Sequence, residues 1–219
     1  MHGLFVRVIV RVSTQEERMP LDFKKTEKEF YLPKAVPAII DVPQMLFIAI
    51  DGKGDPNSSG EYAAAVETLY ALAYSIKMGN KAVLEYVVPP LEGFWGGTGG
   101  AKIDKSKFEW TMLIRQPDFV TNDFFEAAKI ALARKKPAMD TAKARLEKIT
   151  EGLCVQAMHT GSYDDEGATI ALMEGHASEK GFSVDFSPIR RHHEIYLSDP
   201  RKTVAAKLKT VLRHPIKKA

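Results

Sequence analysis

The same order of predicted elements occurs twice along the chain, which limits the folds that it can adopt. Each half reads as a short apolar strand, a glycine-containing loop, a capped helix ending near a glycine, and then one or more strands. Two such β-α-β-β modules predict an α+β fold with pseudo-twofold symmetry, in which antiparallel sheets surround a central ligand cleft and helices cover the outer faces. An ordinary α+β sandwich without internal symmetry stays open as the alternative.

The first module is predicted at about 44–116. It begins with "MLFIAID" as a buried strand, and Ser58 with Glu61 predicts a capping box for a helix that runs to about Met78. Three further segments complete it: a strand at 82–88 ("AVLEYVV"), a mobile loop at 91–107 and a strand at 108–115. The prolines of "FYLPKAVPAIIDVPQ" predict an extended arm ahead of this module.

The rest of the chain follows the same scheme. Connecting helices are predicted at about 121–150, the second module at about 152–199 and a basic C-terminal helix at about 201–213. All of this forms one domain over 21–219. Residues 1–20 are an extension whose alternating "LFVRVIVRVS" either adds an edge strand or precedes a start at Met19.

Composition excludes several classes of function. With 31 basic and 28 acidic residues the net charge is +3, which argues against nucleic acid as a partner. The single cysteine, Cys154, excludes a disulfide framework and fits a buried strand position in a reducing, cytoplasmic setting. No apolar run approaches the ~20 residues of a membrane span, so no membrane association is expected.

The segment "HHEIYLS" at 192–198 holds the most concentrated polar chemistry. Strand alternation puts His192, Glu194 and Tyr196 on one face, and Ile195 on the other. We expect the apolar face to lie under the helices and the acidic face to meet the cleft. Because the adjacent histidines point apart and no third ligand presents itself, neither a metal nor a cofactor is expected.

Aromatic residues concentrate in the first module. Phe94 and Trp95 stand in "EGFW", and alternation in the next strand groups Trp110 with Met112. Aromatic walls around a carboxylate describe a pocket for a flat ligand with a polar or cationic spot, although the same residues also suit a core. A carboxylate in such a pocket either acts as a general acid or base near neutrality or selects cations, and the sequence leaves both open.

Five segments together resemble the stand-alone GyrI-like small-molecule-binding proteins of bacteria. They are "DFKKTEKEFYLP", "FIAIDGKGDPN", "YVVPPLEGFW", "WTMLIRQPDFVT" and "HHEIYLSDPRKT", and the likeness extends from about Leu21 to His214. The resemblance implies a duplicated β-α-β-β module around a ligand cleft. Some members hydrolyse cyclopropane-containing DNA-alkylating compounds, and related domains sense cationic drugs through a buried glutamate.

The resemblance assigns roles to particular residues. Glu194 would orient or deprotonate water, and Tyr86 or Tyr196 would hydrogen-bond a developing oxyanion. The remaining predicted ligand-binding residues are Trp95, Trp110, Phe94, Met112 and His159. The expected function is therefore hydrolysis of cyclopropanoid xenobiotics. A non-catalytic binder of planar or cationic compounds and a gyrase-inhibitor-like adaptor stay as alternatives, and homodimer formation is left open.

Overall fold

Strand pairing in the computed structural model, which describes residues 19–96 and 104–219, closes into a ring. Antiparallel neighbours follow the order β4-β1-β3-β2-β6-β7, and β7 pairs back onto β4. The strands of this ring are β1 (Ala38–Lys53), β2 (Leu91–Gly96), β3 (Glu109–Gln116), β4 (Arg145–Thr160), β6 (His192–Tyr196) and β7 (Lys209–Lys218). A short β5 (Phe182–Val184) pairs with the end of β7.

The ring is built from two copies of one module. Among the described residues five α-helices accompany the strands: α1 (Phe23–Thr26), α2 (Lys28–Tyr31), α3 (Gly60–Gly79), α4 (Asn122–Lys135) and α5 (Gly167–Glu179). The first module is β1-α3-β2-β3 and the second is β4-α5-β6-β7, with the sheet order β1-β3-β2 mirrored by β4-β7-β6. The predicted α+β fold with duplicated modules is confirmed, and β2 and β6 meet at the pseudo-twofold axis.

Alternation along the strands divides the apolar residues between the inside and the outside of the ring. The inner cluster draws on every strand of the ring and is covered by α1 and α2; it includes Phe23, Phe30, Tyr31, Phe47, Phe94, Leu113, Cys154, Ile195 and Val211. Outside, α3 and α4 pack over β1 and β3, and α5 packs over β4 and β7. Of the helices in the described ranges, none combines the length and apolarity that a membrane span requires.

The longer helices of the first half begin at N-cap residues that accept backbone hydrogen bonds, but the N-cap of α3 lies one residue after the predicted position. Ser59 rather than Ser58 is the N-cap of α3, and its Oγ accepts a hydrogen bond from the backbone N–H of Tyr62. Glu61 therefore stands at the second helical position, where a negative charge still favours the helix dipole. Thr121 caps α4 in the same way through the N–H of Phe124.

Two predicted helices are wrong because ring closure needs those segments as strands. The segment predicted as a helix at 201–213 contributes to β7, which pairs with both β4 and β6. Likewise, β4 already begins at Arg145, inside the connecting-helix region, and runs beside β1. Both segments are rich in good helix formers, so their local propensity is overridden by pairing on both sides.

Three other predicted elements also differ. The segment 82–88 is not a strand; only Tyr86 forms an isolated bridge, to Leu21, because each ring strand already has two partners. The predicted loop 91–107 contains β2, a buried strand at the centre of the sheet. The proline-rich arm, residues 30–44, becomes the end of α2, a short connection and the start of β1, where Pro43 is solvent-exposed. The extension up to Arg18 and residues 97–103 of that loop lie outside the described residues.

Candidate functional site

The predicted acidic residue lies at the seam between the two modules. Glu194 stands on β6 directly opposite Gly93 of β2, and Tyr196 stands opposite Leu91. The alternation predicted for β6 is correct, but the assignment of its faces was reversed. Ile195 packs inside the ring, whereas Tyr196 packs with the residues under α3, so Glu194 faces outward between α3 and α5.

Hydrogen bonds fix the carboxylate of Glu194 from two sides. Nε2 of His192 lies 3.0 Å from its Oε1. The indole N–H of Trp95 donates to the hydroxyl oxygen of Tyr196 at 2.9 Å, which leaves the Tyr196 O–H free to donate to Glu194. Burial, followed by the negative charge of Glu194, raises the pKa of Tyr196 well above its usual range, so this hydroxyl stays a donor.

A second carboxyl reaches the same place from α5. Glu166 immediately precedes this helix, is 8% exposed, and its Oε1 has no hydrogen-bond partner within the described residues. Burial raises the pKa of Glu166 to about 9, and the charge of Glu194 adds to the effect. Glu166 is therefore neutral at pH 7, and the site pairs a protonated carboxyl with Glu194.

Aromatic rings surround this pair on the α3 side. Tyr62, from the first turn of α3, stacks on Trp95 with a centroid distance of 6.2 Å and meets Trp110 edge-on at 5.4 Å. Phe108 also meets Trp95 edge-on, with a centroid distance of 5.7 Å. On the α5 side, Tyr163 meets Tyr196 edge-on at 5.7 Å. These rings give the carboxyl pair an apolar boundary on both sides.

A glycine and a methionine form the floor beside Glu194. Gly93 pairs with Glu194 on one side and with Met112 on the other. A Cβ at Gly93 would lie 3.0 Å from Nε1 of Trp95 and 3.2 Å from the thioether of Met112. The absence of a side chain at position 93 therefore leaves room for the Trp95 indole next to the carboxylate, and Met112 is placed beneath the site.

Three predicted site residues lie elsewhere. The hydroxyl of Tyr86 donates to Gln116 and its ring packs on Phe119. Phe94 points into the ring, 4.4 Å from the ring of His193, because neighbouring strand residues alternate in direction. His159 bonds to Thr169 and to the carbonyl of Ser162, at 2.9 and 3.0 Å, and so braces the turn that carries Tyr163 and Glu166.

The cluster also has a geometry that a metal ion could use. One donor atom each from Glu166, His192 and Glu194 lie within 4.8 Å of one another, so Glu166 supplies the third donor that the sequence argument lacked. However, His192 and Glu194 already contact each other at 3.0 Å, and Glu166 retains its proton at pH 7. A cation would have to break the contact between His192 and Glu194 and remove the proton from Glu166. The arrangement therefore suits acid–base chemistry better than metal binding.

A separate open groove of about 760 Å³ lies at one end of the ring. Its lining includes Phe94 and Trp110 together with charged side chains such as Asp51, Arg145 and Arg191. Asp51 and Arg145 form an ion pair at 2.8 Å, and the guanidinium of Arg191 donates to the hydroxyl of Thr111 at 2.6 Å. Glu194 does not line this groove, so the groove and the acid–base cluster are different sites.

Sequence reasoning missed Tyr62, Tyr163 and Glu166 as site residues. The helical spacing of Tyr62 in α3 suits an apolar packing face, and its place in the first turn is the one hint that it reaches the cleft. Glu166 follows Asp164 and Asp165 in "SYDDEG", and all three suit helix capping. Which acid turns inward depends on the turn at Tyr163–Asp165, which single-sequence patterns do not specify.

A duplicated β-α-β-β ring with an acid and aromatic rings at the module seam defines a small-molecule-binding domain. The family model described as the GyrI-like small molecule binding domain matches residues 36–217. The chain belongs to this family. No curated protein sequence matches it.

Solved structures of the same fold extend the comparison. An uncharacterized conserved protein from Listeria innocua is 47% identical, with a TM-score of 0.86 over 90% of this chain and 100% of that one. A protein from Listeria innocua described as a hydrolase is 46% identical, with a TM-score of 0.85 over 91% of this chain and all of that one. The C-terminal domain of EcmrR shares 10% identity at a TM-score of 0.53, covering 84% and 98% of the two chains, which is a likeness of fold alone.

Proposed function

We propose that this protein binds flat, largely apolar xenobiotics at the β2–β6 seam and hydrolyses those that carry a reactive cyclopropane. The observation that carries the proposal is the carboxylate of Glu194, held by His192 and Tyr196 beside the aromatic rings. The family match and the 46% identical relative described as a hydrolase support it.

In this reaction the protein has to position a water molecule and stabilise the charge that develops on the substrate. Glu194 accepts a proton from water while the water oxygen bonds to the cyclopropane CH₂ carbon. The ring C–C bond breaks, and its electron pair passes through the conjugated dienone to the carbonyl oxygen, which becomes a phenolate and takes a proton from solvent. Burial raises the pKa of Tyr163 to about 12, so its hydroxyl stays protonated and, with Tyr196, can stabilise the developing oxyanion.

The aromatic rings would place the ligand. Tyr62 occupies the stacking position over Trp95, and Trp95 and Trp110 are only 6% and 1% exposed. A flat ligand therefore enters by displacing the Tyr62 ring, which belongs to the first turn of α3, and takes over the stacking contact with Trp95. Met112 and Gly93 would form the floor on which the reactive carbon approaches Glu194.

A non-catalytic binder of planar cations is the second candidate, favoured by the same carboxylate among aromatic rings. A bound cation would stabilise the ionised form of the acids and the faces of the rings attract positive charge. Such a ligand would bind more weakly to a Glu194→Gln variant. It would dissociate from the protein chemically unchanged. Turnover is the property that separates the two candidates.

The test is incubation with a cyclopropane-bearing duocarmycin-type compound in ¹⁸O-labelled water, followed by mass spectrometry. We expect the labelled ring-opened product, and a fall in rate of about 10²–10⁴ in Glu194→Gln with the compound still bound. The matched control is Glu179→Gln, an exposed acid at the end of α5. Product formation at the buffer rate in the wild type would refute the hydrolase, and an unchanged rate in Glu194→Gln would refute the role of Glu194.

A further inference from the structure

Two carboxyl groups approach each other at the β2–β6 seam. Side-chain oxygens of Glu166 and Glu194 lie within 4.8 Å of each other. Glu166 is the N-cap residue of α5, yet its side chain accepts no capping hydrogen bond and is turned toward the seam instead. The residue is only 8% exposed, and its Oε1 has no hydrogen-bond partner among residues 19–96 and 104–219. The seam therefore presents an unpartnered buried oxygen beside a carboxylate.

The surroundings of Glu166 allow only one of these two acids to ionise. Two negative charges at this spacing in a buried site repel each other strongly. Burial, followed by the charges of Glu194 and Asp164, raises the pKa of Glu166. Lys105, in the short turn before β3, opposes this effect, but its Nζ is already paired with Asp164 at 2.8 Å. The other titratable side chains that face the two acids are His192 and Tyr196 on β6, Tyr163 in the turn before α5, and Tyr62 on α3. The pair therefore retains one proton at pH 7.

We propose that the seam binds an organic cation in exchange for the proton of Glu166. The inference rests on the cation-binding function given above as the second candidate, and it does not depend on turnover. As the cation enters, the O–H bond of Glu166 breaks, the proton passes to water, and the electron pair stays on the carboxylate. The two acids carry one negative charge before the exchange, and two carboxylates with one cation again sum to one negative charge after it. The exchange therefore buries a cation without changing the net charge of the site.

The electrostatic attraction of one bound cation is large enough to release this proton. The pKa of Glu166 is about 9, so roughly 1% of the carboxyl is ionised at pH 7 in the ligand-free protein. A unit positive charge about 4 Å from the carboxyl, at an effective dielectric constant of about 20, favours the ionised form about 10³-fold. Glu166 is then mostly ionised in the complex at pH 7, and binding releases a proton to solvent.

The aromatic rings beside the acids determine which cations fit. Tyr62 stacks on Trp95 at a centroid distance of 6.2 Å. A flat cation that replaces Tyr62 on this indole places its positive charge against the ring face and beside the two acids. Unlike a metal ion, a ligand whose charge is delocalised over a ring needs no bond from His192, so the 3.0 Å contact between His192 and Glu194 is kept. The ligand class is therefore a planar heteroaromatic cation.

Calorimetric titration with N-methylquinolinium tests the exchange, because this probe is flat, permanently charged and free of cyclopropane. In buffers of different ionisation enthalpy at about pH 7.5, we expect about one proton released per cation bound to the wild type and none with Glu166→Gln. The wild-type association constant should rise nearly tenfold per pH unit above about pH 7 and level off near pH 9, whereas that of Glu166→Gln should stay flat. Two controls accompany these titrations. Uncharged quinoline should release no proton, and Glu179→Gln, an exposed acid on α5, should behave as the wild type.

The possible results separate the exchange from the function on which it rests. Failure of the wild type to bind N-methylquinolinium would refute the cation-binding candidate and the exchange with it. Binding without proton release, or with the same release in Glu166→Gln, would refute the exchange alone. Infrared difference spectroscopy follows the proton itself: the carboxylic acid band of Glu166 in the ligand-free wild type at pH 7 should disappear when the probe is added and be absent from Glu166→Gln. A band that the bound probe leaves unchanged would also refute the exchange.

Discussion

Gly52 lies directly beneath the indole of Trp110, its partner across the β1–β3 pair. A Cβ at position 52 would overlap the six-membered ring of the indole. This contact sets the position of Trp110, against which Tyr62 rests edge-on. The geometry of the aromatic side of the cleft thus depends on a residue without a side chain in a neighbouring strand.

Gly52→Ala should displace the Trp110 indole and with it Tyr62. We expect a loss of about 1–3 kcal/mol in the free energy of unfolding, because the added Cβ would overlap the indole of Trp110, which is only 1% exposed, and would push it out of its packed position. Ligand affinity should fall in parallel, and tryptophan fluorescence should shift. Gly79→Ala at the end of α3, where an added Cβ meets nothing within 4 Å, is the control and should leave both properties unchanged or improve stability slightly.

Glu166 should make the protein less stable as pH rises. Its pKa is about 9 when folded and near 4.5 when unfolded, so between these values the folded chain holds a proton that the unfolded chain releases. The free energy of unfolding then falls with pH in that window, by at most about 1.4 kcal/mol per unit from this group. Glu166→Gln removes the effect, and should be more stable than the wild type at pH 8 by about 1–3 kcal/mol.

Denaturant unfolding of both proteins at intervals from pH 5 to 9 measures this difference. The stability difference between Glu166→Gln and the wild type should grow with pH, while that of the control Glu179→Gln should stay flat. A difference that does not change with pH would mean that Glu166 ionises normally, and the pairing of a neutral carboxyl with Glu194 would be wrong.

Sequence reasoning found the repeat and the acidic strand but not the closure of the ring. The period-two pattern of β6 identified Glu194 and Tyr196 as neighbours, because alternation is a local property. Which face of β6 meets the helices depends on contacts that are distant in sequence, and the predicted assignment of the two faces was reversed. The segments forming β7 and the first part of β4 have helical composition, and only pairing partners distant in sequence make them strands. The repeat itself demanded a final strand where a helix was predicted.

The same distinction between local pattern and contacts distant in sequence explains which site residues could be predicted. Trp95 and Trp110 stand in regular strands, so their common face with Tyr196 followed from spacing once β2 was recognised as a strand. Tyr86 was assigned to the site by the resemblance, but its segment is not a strand of the ring and its hydroxyl donates to Gln116 instead. Glu166 depends on a turn and on the packing of α5, neither of which a single sequence specifies.

Cys154 should be inert in the folded protein. It lies inside the ring with no exposed surface, and burial raises the pKa of its thiol to about 12, so almost no thiolate forms at pH 8. A disulfide-exchange reagent should therefore detect no thiol in native protein and one per chain after denaturation. Rapid reaction of the native protein would show that the inner face of β4 opens on the timescale of the assay.

The interior of the ring holds a group of charges whose removal should be costly. Glu151 contacts Arg213 at 2.5 Å and His193 at 3.0 Å, and His193 also lies 3.1 Å from Glu92. Arg213 and His193 hold the pKa of Glu151 at about 2 despite its burial, and the two carboxylates raise the pKa of His193 against the effect of burial. Two carboxylates therefore face one guanidinium and one imidazole inside the ring.

Glu151→Gln should lower the free energy of unfolding at pH 7 by about 3–5 kcal/mol, because Arg213 and His193 are left with excess positive charge. The contribution of Glu151 is present above about pH 4.5 and is lost as pH falls toward 2; that of His193 is present below about pH 6.5 and is lost as pH rises through its elevated folded pKa. Denaturant unfolding across this range should therefore show the wild-type advantage over Glu151→Gln shrinking in acid. Glu147→Gln on the same strand, half-exposed and paired with Arg145, is the control, for which a loss above about 1 kcal/mol would contradict the argument.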